Sequence, residues 1–417
     1  MKISGERLLS DLEKLKGFTD TPGEGVTRFS YGENDGKVRE YIREAAESQG
    51  FSVRTDPVGN MYICLSEGKN DSTVDIVGKT KKIRIGSHID TVRNGGWLDG
   101  IYGVASSLEV LRTLAENDSQ RLSEVEVVIF AEEEGSNFGS TMTGSKFIAG
   151  IYGERDLDRL KNDTNVPLRE MLKNCEFPAY RREDVTWDFS DVKAMLELHI
   201  EQGPVLEREG KSIGIVDAIF GMTTMEVTVL GVGNHAGATP MRYRQDALAA
   251  AAECIGEAER VARADREGIL VATVGKVAVS PNCSNVIPEK VVFTVEAREK
   301  REERITGAIE EIKAAIAKVA ERRGVSFEIR VLAESKPFHL DGRIIALMDR
   351  LAAEAGIRHQ IMDSGAVHDT CVIAPHTPSG MLFVPSIGGR SHVPFEDTAP
   401  GDLVTGAQLL LDAVLNV

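Results

Sequence analysis

The chain reads as an α/β protein: a mostly parallel-sheet domain into which a smaller, ferredoxin-like α+β domain is inserted. Three observations predict this. Before residue 213 and again after 333, short apolar strand patterns alternate with helical ones, the arrangement of a parallel sheet covered on both faces. Between 214 and 332 the strand patterns alternate apolar and polar, so one face of each is buried and one exposed. The length of 417 residues also exceeds what a single core organises. The expected division is 1–213 and 333–417 as two segments of the larger domain, with 214–332 as the insert.

Taken in order, MKISGERLLSDLEKLKGF reads as an amphipathic helix without the apolar stretch of a signal peptide. The polar run 66–82 reads as a solvated hairpin or loop. IRIGS (83–87) is a short buried strand, 102–117 a helix, VEVVIFA (125–131) a strand, 143–150 a short helix and AMLELHI (194–200) another strand. In the insert, strand MEVTVL (225–230) precedes a helix over 242–265, a strand near 269–278, strand VVFTVEA (291–297), a helix over 301–323 and strand VSFEIRV (325–331). Ile305, Ile309, Ile312, Ile316 and Val319 recur four and three apart, one apolar stripe of the second helix. The order β-α-β-β-α-β is the split βαβ arrangement. The tail from 333 returns to helix–strand alternation and is expected to rejoin the first sheet.

Composition excludes several classes. A formal net charge of −16 argues against nucleic acid, whose binding rests on neutralising phosphates. No apolar run approaches a membrane span. The five scattered cysteines form no C-x-x-C pair, so a reducing, cytoplasmic setting is expected.

The residues that carry chemistry sit at or just after strand ends, where open parallel sheets collect their sites. In GSHIDTVRNGGWLDG (86–100) a carboxylate at Asp90 can accept the second N–H of His88, leaving the other nitrogen for a metal. Asp99, in a glycine-flanked loop, can turn both oxygens toward one point. The plainer alternative is a strand-end histidine with a helix-capping aspartate. AEEEGSNFGS (131–140) places Glu133 and Glu134 on opposite sides of an extended chain, so one can ligate while the other acts as a base; a solvated acidic loop is the alternative. LELHIEQGP (196–204) adds His199 and Gln202, and GGRSHVPFE (388–396) adds His392. Together His88, Asp99, Glu134, His199 and His392 suit a pair of borderline divalent ions such as zinc. Such a pair can ionise a bridging water near neutral pH, which leaves Glu133 as the general base. In the insert, His235 of GVGNHAGATPM could donate to a developing oxyanion. Arg298, at the end of VVFTVEAR, could hold a carboxylate through two parallel hydrogen bonds, with Asn285 as a further polar contact. Set against this, His235 could simply begin a helix, and Arg298 could pair with Glu296.

GSHIDTVRNGGWLDG, AEEEGSNFG, LELHIEQGP, GNHAGATPM, SNVIP and GGRSHVPFE occur in one order. Together they resemble the amidase/hydantoinase/carbamoylase family of di-zinc hydrolases, related to the aminoacylases and di-zinc carboxypeptidases. The resemblance covers essentially the whole chain. It implies one metal on His88 and His199, a second on Glu134 and His392, Asp99 bridging, Asp90 orienting His88 and Glu133 as catalytic acid/base. It implies substrate contacts from Gln202, His235, Asn285 and Arg298, and a homodimer formed through the insert, whose His and Arg serve the partner's active site on hinge closure. Two departures stand out: VEAR lacks an Asp two residues before the Arg, and SGAVHD has Val367 where a glycine is expected.

The expectation that follows is a metal-dependent amidohydrolase with two divalent ions, zinc first and manganese, cobalt or nickel as alternatives. It would cleave the ureido C–N bond of an N-carbamoyl-L-amino acid to amino acid, carbon dioxide and ammonia. Allantoate, a beta-ureido acid, an N-acyl amino acid or a dipeptide are the alternative substrates. A non-catalytic binding protein is the rival of another class, and an intact Glu133 beside a full ligand set argues against it.

Overall fold

A computed structural model describes residues 1–66 and 81–417. The hairpin or loop expected over 66–82 therefore falls almost wholly outside the described residues. The chain divides into two compact units, one formed by Met1–Asp217 with Leu340–Val417 and the other by Ala218–His339.

The larger unit is a mixed sheet with a parallel centre. Strands Val125–Phe130, Lys82–His88, Val192–Ile200 and Ser379–Val384 lie side by side in that order, and each neighbouring pair is parallel. Antiparallel strands flank them: Met61–Leu65 then Phe51–Thr55 on one side, Ile213–Ile219 on the other. The central strands are buried almost throughout, and Val125–Phe130 and Ser379–Val384 at every position, as a sheet covered on both faces requires. Helix Ile101–Glu116 is buried over its first fourteen residues. It links Lys82–His88 to the neighbour on one side, whereas the chain next returns to the other side of the same strand. The strand order thus reverses between Lys82–His88 and Val192–Ile200, which opens a crevice at their carboxyl ends. The first helix, Gly5–Lys16, buries Leu8, Leu12 and Leu15 on one face, and Ser4 caps its start.

The smaller unit is an antiparallel sheet with two helices. Strand Lys290–Glu299 pairs with Gly221–Leu230 and Val277–Ser280, and Gly221–Leu230 also pairs with Ser326–Ser335. Numbered along the chain the order is 2-3-1-4, the ferredoxin-like arrangement. The stripe Ile305, Ile309, Ile312, Ile316 and Val319 of helix Glu302–Arg323 is buried. It packs in one core with Val227, Val229 and Phe293 of the sheet and Ala250 and Cys254 of helix Ala247–Arg263. The single strand expected over 269–278 is two short ones, Val271–Thr273 and Val277–Ser280, interrupted at the Gly275 loop. Among the described residues no helix is long and apolar enough to cross a membrane.

Candidate active site

The four parallel central strands each deliver a polar residue at the carboxyl end. His88 is the last residue of one strand and His199 the penultimate residue of its neighbour. Glu133 and Glu134 follow Val125–Phe130, and His392 follows Ser379–Val384 by eight residues. Asp99 precedes helix Ile101–Glu116 across Gly100, whose φ is +66°. A Cβ at Gly100 would collide with the His88 ring, so only glycine lets the loop pass this close.

Asp99 stands at the centre. Its Oδ1 is 3.1 Å from Nε2 of His199 and 3.5 Å from Nε2 of His88, and its Oδ2 is 3.2 Å from Nε2 of His392. Glu134 Oε1 is 3.3 Å from the same His392 nitrogen. Two groups therefore share one carboxylate: His88, Asp99 and His199 form one, Asp99, Glu134 and His392 the other, with ligand atoms in each within 4.8 Å of one another. The backbone has arranged the imidazoles for this. His88 Nδ1 meets the Asp90 carbonyl at 3.0 Å and His199 Nδ1 the Ile200 carbonyl at 2.9 Å. Each proton is thereby held on Nδ1 and each Nε2 is turned toward Asp99, where Nε2 of His199 also accepts from the Gly100 N–H at 3.1 Å. Gln202 Nε2 and the Ser391 hydroxyl also donate to Asp99 Oδ2, at 2.7 and 3.0 Å.

Asp90 acts on more than His88. Its carboxylate lies 3.7 Å from His88 Nδ1, beyond hydrogen-bonding distance. It accepts instead from the backbone N–H of Glu133 at 3.2 Å and of Glu134 at 3.0 Å. The expected orientation of His88 by the Asp90 side chain is thus supplied by the Asp90 main chain. The carboxylate fixes the turn that aims the two glutamates.

The donor chemistry fits cations. Oε1 of Glu133 is buried with no hydrogen-bond partner, an arrangement that is costly unless a positive charge offsets it. Hydrogen bonds that the His392 imidazole donates to Asp99 and Glu134 push it up to about 11, which expresses the same demand for positive charge. Burial holds the Glu133 carboxyl well above its usual range, opposed by His88 and reinforced by Asp369, Glu134 and Asp90. His88, Asp99 and His199, together with Asp99, Glu134 and His392, are the residues that could hold a metal pair.

Sequence alone does not single out Glu396 or Glu197, whereas SGAVHD and GGWLDG draw attention to His368 and Trp97. Glu396 is buried, and its Oε1 accepts from the backbone of Leu98 at 2.9 Å and of Asp99 at 3.0 Å. Behind His199, the buried His368 ring lies edge-on at 4.6 Å, and Nε2 of His368 meets the Ser364 hydroxyl at 3.1 Å. Burial, then His199, pull His368 well below the usual histidine range, so it packs there neutral. Glu197 is fully buried and satisfied by Ser87 and Thr370. Trp97, two residues before Asp99, lies under the Lys16 ammonium and lines a cavity of about 690 Å³ with Phe395.

His235, Asn285 and Arg298 all belong to the smaller unit. His235 pairs with Val286 in a two-stranded ribbon, and the Asn285 carbonyl accepts from Ala236 N–H at 3.0 Å. The structure thus brings His235 and Asn285 to neighbouring positions. Nδ1 of the exposed His235 accepts from Gly237 and Ala238 N–H at 3.1 and 3.2 Å, which leaves the proton on Nε2. Nε of Arg298 donates to Glu296 on the same strand at 2.8 Å.

An α/β fold with histidines and carboxylates converging at a strand-order reversal has the architecture of a catalytic or ligand-binding site. Residues 85–416 match peptidase family M20/M25/M40, and the chain belongs to that family. It is 37% identical to an N-carbamoyl-L-amino-acid amidohydrolase of Paenarthrobacter aurescens, over 98% of this chain and 97% of the relative. It is 34% identical to an allantoate amidohydrolase of Escherichia coli strain K12, over 95% and 94%. A crystal structure of a hydantoinase/carbamoylase family amidase from Burkholderia multivorans superposes with a TM-score of 0.90 at 32% identity, covering 100% of this chain and 98% of that one. The chain is an amidohydrolase of this family, acting on carbon–nitrogen bonds.

Proposed function

We propose that this enzyme hydrolyses the ureido C–N bond of N-carbamoyl-L-amino acids, using two divalent ions, zinc first among them. The observation that carries the reading is the Asp99 carboxylate shared by two donor sets, with an unpartnered Glu133 oxygen beside them. The similarity to the Paenarthrobacter aurescens enzyme supports the substrate class. Two ions held there would polarise the substrate carbonyl and lower the pKa of an attacking water.

The chain's own residues do the rest. Glu133 takes the proton of the attacking water and passes it to the leaving nitrogen. Its burial, and the carboxylates around it, make it a stronger base than an exposed glutamate. Asp90 keeps Glu133 and Glu134 aimed by holding their backbone N–H groups. In this reading His235, with its proton on Nε2, would donate to the developing oxyanion, Arg298 would hold the substrate carboxylate, and Asn285 and Gln202 would add polar contacts to the substrate. One water and one N-carbamoyl amino acid give the free amino acid, carbon dioxide and ammonia. A cytoplasmic homodimer formed through the smaller unit belongs to the same reading.

Allantoate is the second substrate to test, because the Escherichia coli relative carries that name. The test is ammonia release from N-carbamoyl-L-methionine, N-carbamoyl-beta-alanine and allantoate by protein loaded with zinc or manganese. Turnover of the first, abolished by chelator and restored by metal, supports the reading; preference for another compound replaces the substrate and keeps the class. Cleavage of dipeptides without ammonia would overturn it.

A further inference from the structure

We propose that Glu396 is a positioning residue, which locks the loop bearing Asp99 to the loop bearing His392 so that the shared carboxylate serves both donor sets at once. The inference rests on the metal-pair reading given above. Three observations carry it.

First, Glu396 is 1% exposed. Burying a carboxylate is costly unless its oxygens find polar partners, and here each oxygen has at least one within hydrogen-bonding distance. Oε1 accepts two successive backbone N–H groups, Leu98 at 2.9 Å and Asp99 at 3.0 Å. Oε2 lies 2.8 Å from the Ser391 hydroxyl, which is itself 3.0 Å from Asp99 Oδ2. Glu396 thus grips Asp99 at its backbone, and its hydroxyl neighbour sits against the Asp99 side chain.

Second, Glu396 is four residues beyond His392, and its own N–H closes the intervening turn on the Val393 carbonyl at 3.1 Å. His392 has a φ of +59°. A non-glycine residue is kept in that region only where its surroundings over-determine it, and the Ser391–Glu396 contact brackets His392 on both sides. Third, the Asp99 loop has been shaped around this carboxylate. A Cβ at Gly96 would overlap the Glu396 carboxyl group, so the glycine keeps the space that the carboxylate needs.

The test compares wild type with Glu396→Ala, Glu396→Gln and Gly96→Ala. Zinc and manganese stoichiometry and affinity are measured by chelator competition on protein shown to be folded by circular dichroism, and the metal-free melting temperature is recorded beside them. Partners behind metal ligands are typically worth about 10- to 100-fold in affinity. Glu396→Ala and Gly96→Ala should lose affinity of that order for at least one ion. Glu396→Gln keeps a carbonyl oxygen for Leu98 and Asp99 and should recover most of it. Where Glu396→Ala does not fold, Gly96→Ala and Glu396→Gln decide. Two ions bound at wild-type affinity in folded Glu396→Ala or Gly96→Ala would overturn the assignment. So would a lowered metal-free melting temperature with unchanged affinity, which marks a merely structural role. Wild-type protein that binds no divalent ion overturns the metal-pair reading itself, and this inference with it.

Discussion

His88 Nδ1 meets the main-chain carbonyl of Asp90 at 3.0 Å, while the Asp90 carboxylate stands off at 3.7 Å. The carboxylate is committed to the backbone of Glu133 and Glu134. The two functions of one residue can therefore be separated. In Asp90→Asn the main-chain bond to His88 persists, but one carboxylate oxygen becomes an amide that opposes a backbone N–H. The variant should keep its metal content and lose about 10- to 100-fold in kcat, the scale of supporting partners in such sites. Loss of metal with turnover per ion unchanged would show that the side chain acts through His88 after all. Metal analysis beside kcat decides.

Glu133→Gln leaves size and shape in place and removes the group that moves the proton. Because Asp99, His88, His199, Glu134 and His392 make up the two donor sets without Glu133, both ions should remain. Turnover should fall by about 10²- to 10⁴-fold, the usual worth of a positioned acid/base. A variant with normal kcat would refute the assignment of Glu133.

These residues were legible to different degrees, and the reasons are physical. His88, Glu133, Glu134, His199 and His392 could be found because each lies at or just after a run whose apolar pattern marks a buried strand, and parallel strands bring such ends together. The stripe from Ile305 to Val319 could be read from helical period alone, and all five residues are buried. Glu396 could not be read this way. Its partners Leu98 and Asp99 lie almost 300 residues earlier, and in PFEDT it resembles any exposed loop acid. The Asp90 carboxylate misled for a related reason: spacing shows that it can reach His88, but not that a backbone carbonyl reaches first.

His235 presents a fixed tautomer. Two backbone N–H groups, from Gly237 and Ala238, occupy Nδ1, so Nε2 is the donor. His235→Ala should lower kcat by about 10²- to 10³-fold, as loss of an oxyanion donor does, with little change in metal content. His235→Gln, which can offer an N–H, should fall less. Steady-state kinetics of the two variants provide the check, and equal losses would argue that the ring has another task.

Metal removal should be visible as a loss of stability confined to one unit. Ligand that binds only the folded state stabilises it by about 4 kcal/mol when present at a thousandfold its Kd. Without cations the larger unit keeps the buried, unpartnered oxygen of Glu133. The smaller unit has its own core around Phe293 and Ile312, and both donor sets found among the described residues lie outside it. Both tryptophans, Trp97 and Trp187, are in the larger unit, so tryptophan fluorescence follows that unit selectively. Chelation should lower the melting temperature seen by fluorescence by several degrees, at roughly 2 °C or more per kcal/mol. Zinc or manganese should restore it. An unchanged fluorescence transition after verified removal of metal would mean that the donor sets bind ions too weakly to matter for the fold.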